Sequence, residues 1–413
     1  MKNTIRFASL TVALAWGLVH APALRADESD YSPLCYDEDE AKEERSFLRP
    51  YLEPAHIPSP EYLASCKGEG LQYLQYTGTE TQEQLKAMSA KFQGIHDKIV
   101  AALPEKLSVP VARKRKILVL TYRSGMGYHT PGSAGCLILL REAAKKYGAF
   151  ELTERYKFDG IDAKMLAEFD AVVMNNNHVF MRQGKYGYQG SRGDRTNPEF
   201  NTPANLALRL KRKGEDDKAS NLFHHELLPA YVKNGGGIIG FHGALLPECG
   251  GDNASEYGIM FGGTIDGNVH PWINGKIAGP GGYSPIPVKI LEPNNPLIFA
   301  FRDVPTVQAT ELFSFLLPKA SMDSSRTLMR YDYDKRPEVT YNPKSLERCR
   351  DFAGSLIWIK SYGKGRVFYN VMGHDEEIYG VPSVARANLD GLLYATGDLK
   401  VPDAPATAAT VGK

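Results

Sequence analysis

The chain has almost no excess of charge of either sign: 49 Lys and Arg stand against 48 Asp and Glu among 413 residues, a formal net charge of +1. That balance leaves no reason to expect nucleic acid or an acidic membrane surface as a partner. Beyond the amino terminus no stretch is apolar enough to cross a bilayer. Phosphate-binding loops are missing, and Gly125-Met126-Gly127 has no third glycine at the offset a dinucleotide site needs. There is no HExxH spacing and no internal repeat. Cysteine is scarce: Cys35, Cys66, Cys136, Cys249 and Cys349 are all there are. Their pairing cannot be deduced from sequence. Cys35 with Cys66 and Cys249 with Cys349 are the expected pairs, and Cys136, set among Leu137, Leu139 and Leu140, reads as core.

What the chain does contain begins with export. Lys2 and Arg6 precede an apolar run from Phe7 to Val19, and both Ala21-Pro22-Ala23 and Leu24-Arg25-Ala26 suit cleavage. Residues 1–26 therefore read as a secretory signal peptide, and the mature protein as soluble in the periplasm or outside the cell. Residues 27–112 form a loop-rich extension with one helix. There Thr81 and Gln84 can form a capping box, and Leu85, Met88, Phe92, Ile95 and Ile99 recur at three- and four-residue steps up to Pro104. A domain from 113 to 400 follows, and an Ala-, Pro- and Thr-rich tail from 401 to 413 is expected to be disordered.

Inside the domain a grammar of short apolar runs and amphipathic segments repeats. Ile117-Leu118-Val119-Leu120, Phe150 to Tyr156, Ala171 to Met174 and the glycine-rich run from Gly235 to His242 read as strands. The segment with Thr130 as N-cap, Pro131 as its first helical residue and Gly148 as its close reads as a helix, and so do Ala163 to Glu168, about Ser220 to Lys233 and Val384 to Thr396. Alternation of this kind predicts an α/β fold, a doubly wound and mostly parallel sheet of the flavodoxin-like kind. Later runs, Val288 to Leu291, Val307 to Phe315 and Thr327 to Tyr333, look like further strands. Ser355 to Lys360 and Arg366 to Val371 flank a turn at Tyr362-Gly363-Lys364-Gly365 and read as a hairpin. The polar stretch from Met181 to Asp217 is long for a connection and reads as a lid or peripheral insertion.

In open α/β sheets, ligands bind beyond the carboxyl ends of the strands. Four histidines fall there: His129 after the first strand, His178 after Asn175-Asn176-Asn177, His242 after the glycine-rich strand, and His374 in Met372-Gly373-His374-Asp375. The sharpest local pattern is Gly240-Phe241-His242-Gly243-Ala244. Small residues around one central side chain, after a buried strand, suit a strand-to-helix elbow that projects that side chain into a cleft. The centre here is an imidazole, which can act as general base, bind a metal or hydrogen-bond a ligand.

These motifs, with Tyr128-His129, Gly262-Gly263, Val269-His270-Pro271-Trp272, Glu311-Leu312-Phe313 and Tyr362-Gly363-Lys364-Gly365-Arg366-Val367-Phe368-Tyr369, resemble the ThuA-like (trehalose-utilisation) family in order over about Lys116 to Leu399. The resemblance implies a class I glutamine amidotransferase-like fold and a role in carbohydrate metabolism. Proteins of this type work beside sugar dehydrogenases on disaccharides and their keto derivatives. The chain departs from the family at Asn295-Pro296-Leu297-Ile298, where members commonly carry His-Pro-Ile-Thr. With the elbow thiol replaced by His242, glutaminase activity is expected to be absent.

The expected catalytic set is His242, His129, Glu311 and His374, and Asn175, His178, His270 and Trp272 are expected to bind a small carbohydrate. By itself Glu311 reads as a salt-bridged strand residue; the matched motif moves it into the site. A carboxylate among histidines can fix a tautomer or join them around a divalent metal such as zinc. Three functions stay open: an enzyme of disaccharide or keto-glycoside metabolism, a non-catalytic carbohydrate-binding or scaffold protein, and a metal-dependent hydrolase.

Overall fold

The apolar runs that are too short for helices become strands, and they join in one main sheet. In the computed structural model the described residues are 82–121, 130–155, 158–177, 218–248, 255–265, 272–273, 276–277, 284–309, 315–316, 325–332, 335, 339–340 and 354–403. The expected signal peptide, the pairings of Cys35, Cys66, Cys249 and Cys349, the 181–217 insertion and the end of the tail lie outside them. Nine strands make the main sheet: β1 Arg115–Leu120, β2 Phe150–Arg155, β3 Ala171–Asn175, β4 Gly237–Phe241, β5 Ser284–Ile290, β6 Thr306–Ala309, β7 Ser325–Tyr331, β8 Ser355–Tyr362 and β9 Gly365–Asn370. Their order is β2-β1-β3-β4-β9-β8-β7-β5-β6.

The sheet divides into two halves. From β2 to β9 every neighbour is parallel. From β9 to β6 every neighbour is antiparallel. The sheet is therefore mixed, and the parallel character expected from the sequence belongs to the half that carries the histidines. Local chemistry explains the change. β8 and β9 are joined by a two-residue turn in which Gly363 takes φ +59, and such a turn forces antiparallel neighbours.

Helices cover both faces of the parallel half. They are α1 Gln82–Ala102, α2 Thr130–Tyr147, α3 Ala163–Leu166, α4 Leu228–Lys233, α5 Glu256–Phe261 and α6 Pro382–Ala395. Gly237 and Gly240 lie three residues apart on β4 and so face opposite sides. A side chain at Gly237 would strike the backbone of Ala395 in α6, and one at Gly240 would strike Phe261 of α5. β1, β3 and β4 consequently have apolar residues at both alternations, as strands covered on both faces require. The helix of the extension, α1, packs on α2, α6 and the turn Glu376–Gly380, and buries Ile95 and Ile99. The side chains of Leu85, Met88 and Phe92 lie outside the described set.

The helix entering β4 starts at residue 218 and passes through a π turn, Phe223–Leu227, before α4. That turn seats His224 in a fully buried aromatic cage, edge-on to Phe158 (4.7 Å), Phe223 (5.2 Å) and Tyr257 (4.9 Å). Its Nδ1 donates to the Ser220 carbonyl at 2.7 Å, and among the described residues its Nε2 has no hydrogen-bond partner. Burial holds the imidazole neutral and lowers its pKa to about 3 from 6.5. The unfolded chain then binds one more proton than the folded chain between those values, so stability falls as pH drops from about 6.5 toward about 3. The slope from this one group is about 1.4 kcal/mol per pH unit. His224→Phe is expected to remove that share of the acid slope in urea melts run from pH 7 to pH 4. An unchanged slope would mean that His224 is not held neutral.

Candidate functional site

The buried strand β4 delivers His242 to its carboxyl end, where the backbone turns into a 3-10 helix, His242–Glu248. His242 takes φ +41, a left-handed conformation that a residue with a Cβ adopts only when its surroundings hold it there. The restraints are visible. Tyr369 donates its hydroxyl to the His242 carbonyl and accepts from the Leu245 amide at 3.1 Å. Tyr257 donates to the Ala244 carbonyl at 2.6 Å. Tyr369 in turn stacks on Trp358 at 4.3 Å, and the Trp358 indole donates to the Phe261 carbonyl at 2.8 Å. An aromatic layer therefore sets the elbow in place from the α5 side.

The imidazole of His242 is fully buried, with Nδ1 2.7 Å from the carbonyl oxygen of Val371. A carbonyl only accepts, so Nδ1 carries a hydrogen, and whenever the ring is neutral the lone pair is on Nε2. Val371 directly follows β9, and the same loop brings His374. The two imidazoles meet edge to face, with centroids 5.2 Å apart. His374 also has Nδ1 3.1 Å from the Asp375 carboxylate, and both side chains are partly exposed. The pair thus combines a sequestered ring with a fixed tautomer and a more accessible ring beside a carboxylate.

Close backbone approach makes this meeting possible. A Cβ on Gly132, in the first turn of α2, would lie 1.8 Å from the Gly373 carbonyl oxygen, and the Gly132 amide donates to the His374 carbonyl at 3.1 Å. A Cβ on Gly373 would lie 3.2 Å from that of His242. Nearby, Cys136 and the hydroxyl of Tyr379 are buried, and burial pushes both pKa values up. Cys136 is a free core thiol, in keeping with its leucine neighbours.

The third contributor is the end of β3. Asn176 takes φ +52. Its side-chain oxygen accepts the Gly243 amide at 3.0 Å, and its side-chain nitrogen donates to the Gly373 carbonyl at 3.0 Å. Asn175 is fully buried; its side-chain nitrogen donates to Thr121 Oγ1 at 3.0 Å and to the Ser133 carbonyl at 2.9 Å, and its side-chain oxygen has no partner among the described residues.

Of the residues expected at the site, His242, His374 and Asn175 lie at this one edge. His129, His178, His270 and Glu311 are outside the described residues. Trp272 lies in a two-residue strand, Trp272–Ile273, that pairs with Lys276–Ile277 and Val339–Thr340, and its side chain is outside the described set. Toward a divalent metal, Nδ1 of His242 is engaged already, because it is held by Val371. Among the described residues no three His, Cys, Asp or Glu side chains group to hold an ion. At the family departure, Asn295 accepts the Leu297 amide at 3.1 Å and donates to Glu292 at 2.9 Å, so it shapes a turn. Asn176 is the residue that sequence reasoning misses. Its signal is weak: asparagine at the end of a buried strand, one of the few residue types that enters left-handed backbone readily.

The fold and the edge it builds define an α/β domain with a histidine elbow. Residues 217–395 match the family model for ThuA, trehalose utilisation. Over that stretch the chain is similar to the ThuA family, and the motifs at His242, Gly262 and the β8–β9 turn fall inside it. Similar solved structures include a ThuA-like protein from Bacteroides uniformis, 16% identical with a TM-score of 0.40, covering 69% of this chain and 94% of that one. A ThuA-like protein from Parabacteroides merdae is also 16% identical, with a TM-score of 0.36, covering 70% of this chain and 94% of that one. A β-galactosidase from Bacillus circulans is 11% identical with a TM-score of 0.35, covering 78% of this chain and 37% of that one. A search of curated proteins returned no match.

Proposed function

We propose that this is an exported ThuA-like enzyme that moves a proton on a small carbohydrate, a disaccharide or its keto derivative, with His242 as the base. His374 and Asp375 assist it, with His129 and Glu311 as further members of the cleft, and Asn175, His178, His270 and Trp272 toward the sugar. The observation that carries this reading is the fixed tautomer of His242: Nδ1 is anchored on Val371, which points the chemistry to Nε2. Acyl transfer is disfavoured by a second feature. In α/β elbows the amide that follows the central residue helps stabilise a tetrahedral oxyanion. Here that amide, on Gly243, is spent on Asn176. At this elbow His242 stands where a thiol-dependent glutaminase needs its nucleophile, and this donor is engaged.

Proton transfer beside a carbonyl leaves a direct trace. Mature protein incubated in deuterium oxide with 3-keto disaccharides is expected to exchange the hydrogens next to the carbonyl faster than buffer does, read by NMR. No acceleration with any disaccharide or 3-keto form would sink the reading. The complete burial of the His242 ring favours a second one, a carbohydrate-binding protein that converts nothing. Saturable sugar binding in calorimetry without exchange or turnover would establish that alternative.

A further inference from the structure

Asn176 joins two loops that are far apart in sequence. One hydrogen bond reaches the residue after His242, and the other reaches the residue before His374. Both of these partners are backbone groups, so these two bonds set the spacing of the two loops, and the same carboxamide lies beside the Tyr379 hydroxyl. It uses one acceptor and one donor, the complement of an amide hydrogen on one side and a carbonyl on the other. The geometry needs a left-handed residue at this point, because φ at Asn176 is +52. Glycine would meet that need without strain, but it would supply neither bond. Its backbone conformation and its side chain therefore make separate contributions, and only the side chain links the loops.

We propose that Asn176 is a positioning residue for the His242–His374 pair: its carboxamide clamps the elbow to the β9 loop, and so keeps Val371 O on Nδ1 of His242. The inference rests on the reading of those two histidines as the working pair, but its test does not need turnover. Asn176→Gly preserves the backbone and deletes the clamp. Asn176→Ala deletes the clamp and adds left-handed strain. Long-range proton–nitrogen NMR of histidine-labelled full-length protein reads the tautomer directly. In the parent protein His242 should show one protonated and one unprotonated ring nitrogen. In both variants the two nitrogen signals of His242 should move toward each other, and the His374 signals should shift with them. Thermal melts of the same samples establish that each is folded. A well-folded Asn176→Gly with parental histidine signals would overturn the proposal, and so would a change confined to Asn176→Ala, because backbone strain would then account for it. Where exchange activity is measurable, Asn176→Gly should lower it by about a hundredfold, the cost of misplacing a reacting group by about 1 Å. If His242 turns out to have no part in turnover, the NMR result still decides the clamp.

Discussion

Replacing His242 by Asn is expected to lower proton exchange on a 3-keto disaccharide by about 10²–10⁴-fold, the usual contribution of a positioned general base. The substitution is chosen for what it retains. Asparagine tolerates the left-handed φ of +41 at this elbow. Its side-chain amide can stand near the place of Nδ1 and donate to Val371 O. What disappears is Nε2. Loss of exchange with an unchanged melting temperature would assign the chemistry to that nitrogen. His242→Ala removes the donor to Val371 as well and adds backbone strain, so a fall in stability is expected there alongside the same loss of exchange. Parental exchange rates in His242→Asn would remove His242 from the mechanism, whatever its place in the fold.

The second large effect is expected from a single methyl group. Gly132→Ala would place a Cβ 1.8 Å from the Gly373 carbonyl oxygen and 2.6 Å from that of His374, both of them backbone atoms. No rotamer change can relieve this contact, so α2 or the histidine loop must move. Overpacking of a close-packed site costs about 1–3 kcal/mol, and a backbone clash of this kind belongs at the upper end. The measurement is the urea midpoint, with the slope as a check on two-state behaviour. The same change elsewhere makes the contrast. Gly94 lies within α1 with nothing inside 4 Å of its would-be Cβ, so Gly94→Ala should raise stability by up to about 1 kcal/mol. If Gly132→Ala were as stable as the parent, the close approach of α2 to the His374 loop would be wrong.

The inner parallel strands β1 and β3 are legible because each holds a run of four apolar residues that only a doubly covered sheet explains. Ile117 to Leu120 and Ala171 to Met174 are buried to the last side chain. The amphipathic helices follow from spacing, and Gly148 with φ +63 closes α2 where the pattern stops. The helix α5 is not legible. Its six residues, Glu256 to Phe261, sit in a glycine-rich stretch and are too few for a periodicity to emerge. The Ser255 side chain that accepts from the Tyr257 amide is its one local signal. At the site, His242 and His374 stand out because their chemistry is visible in their identity. Asn176 does not, because its contribution depends on a backbone angle and on two partners in other segments. A property of pairings, rather than of residues, is what one sequence conceals.

The order of strands carries a consequence for how the protein comes into being. After β4 the chain leaves the parallel half, builds β5 to β8, and only then returns as β9 against β4. The acceptor for His242 lies 129 residues further along the chain. During synthesis the elbow is therefore made long before the carbonyl that fixes its tautomer. Contacts of such sequence separation form late and slow the search for the native state. A nascent chain ending before Gly365 holds the imidazole but not its anchor, so the anchored histidine can arise only once nearly the whole domain has been threaded out and folded.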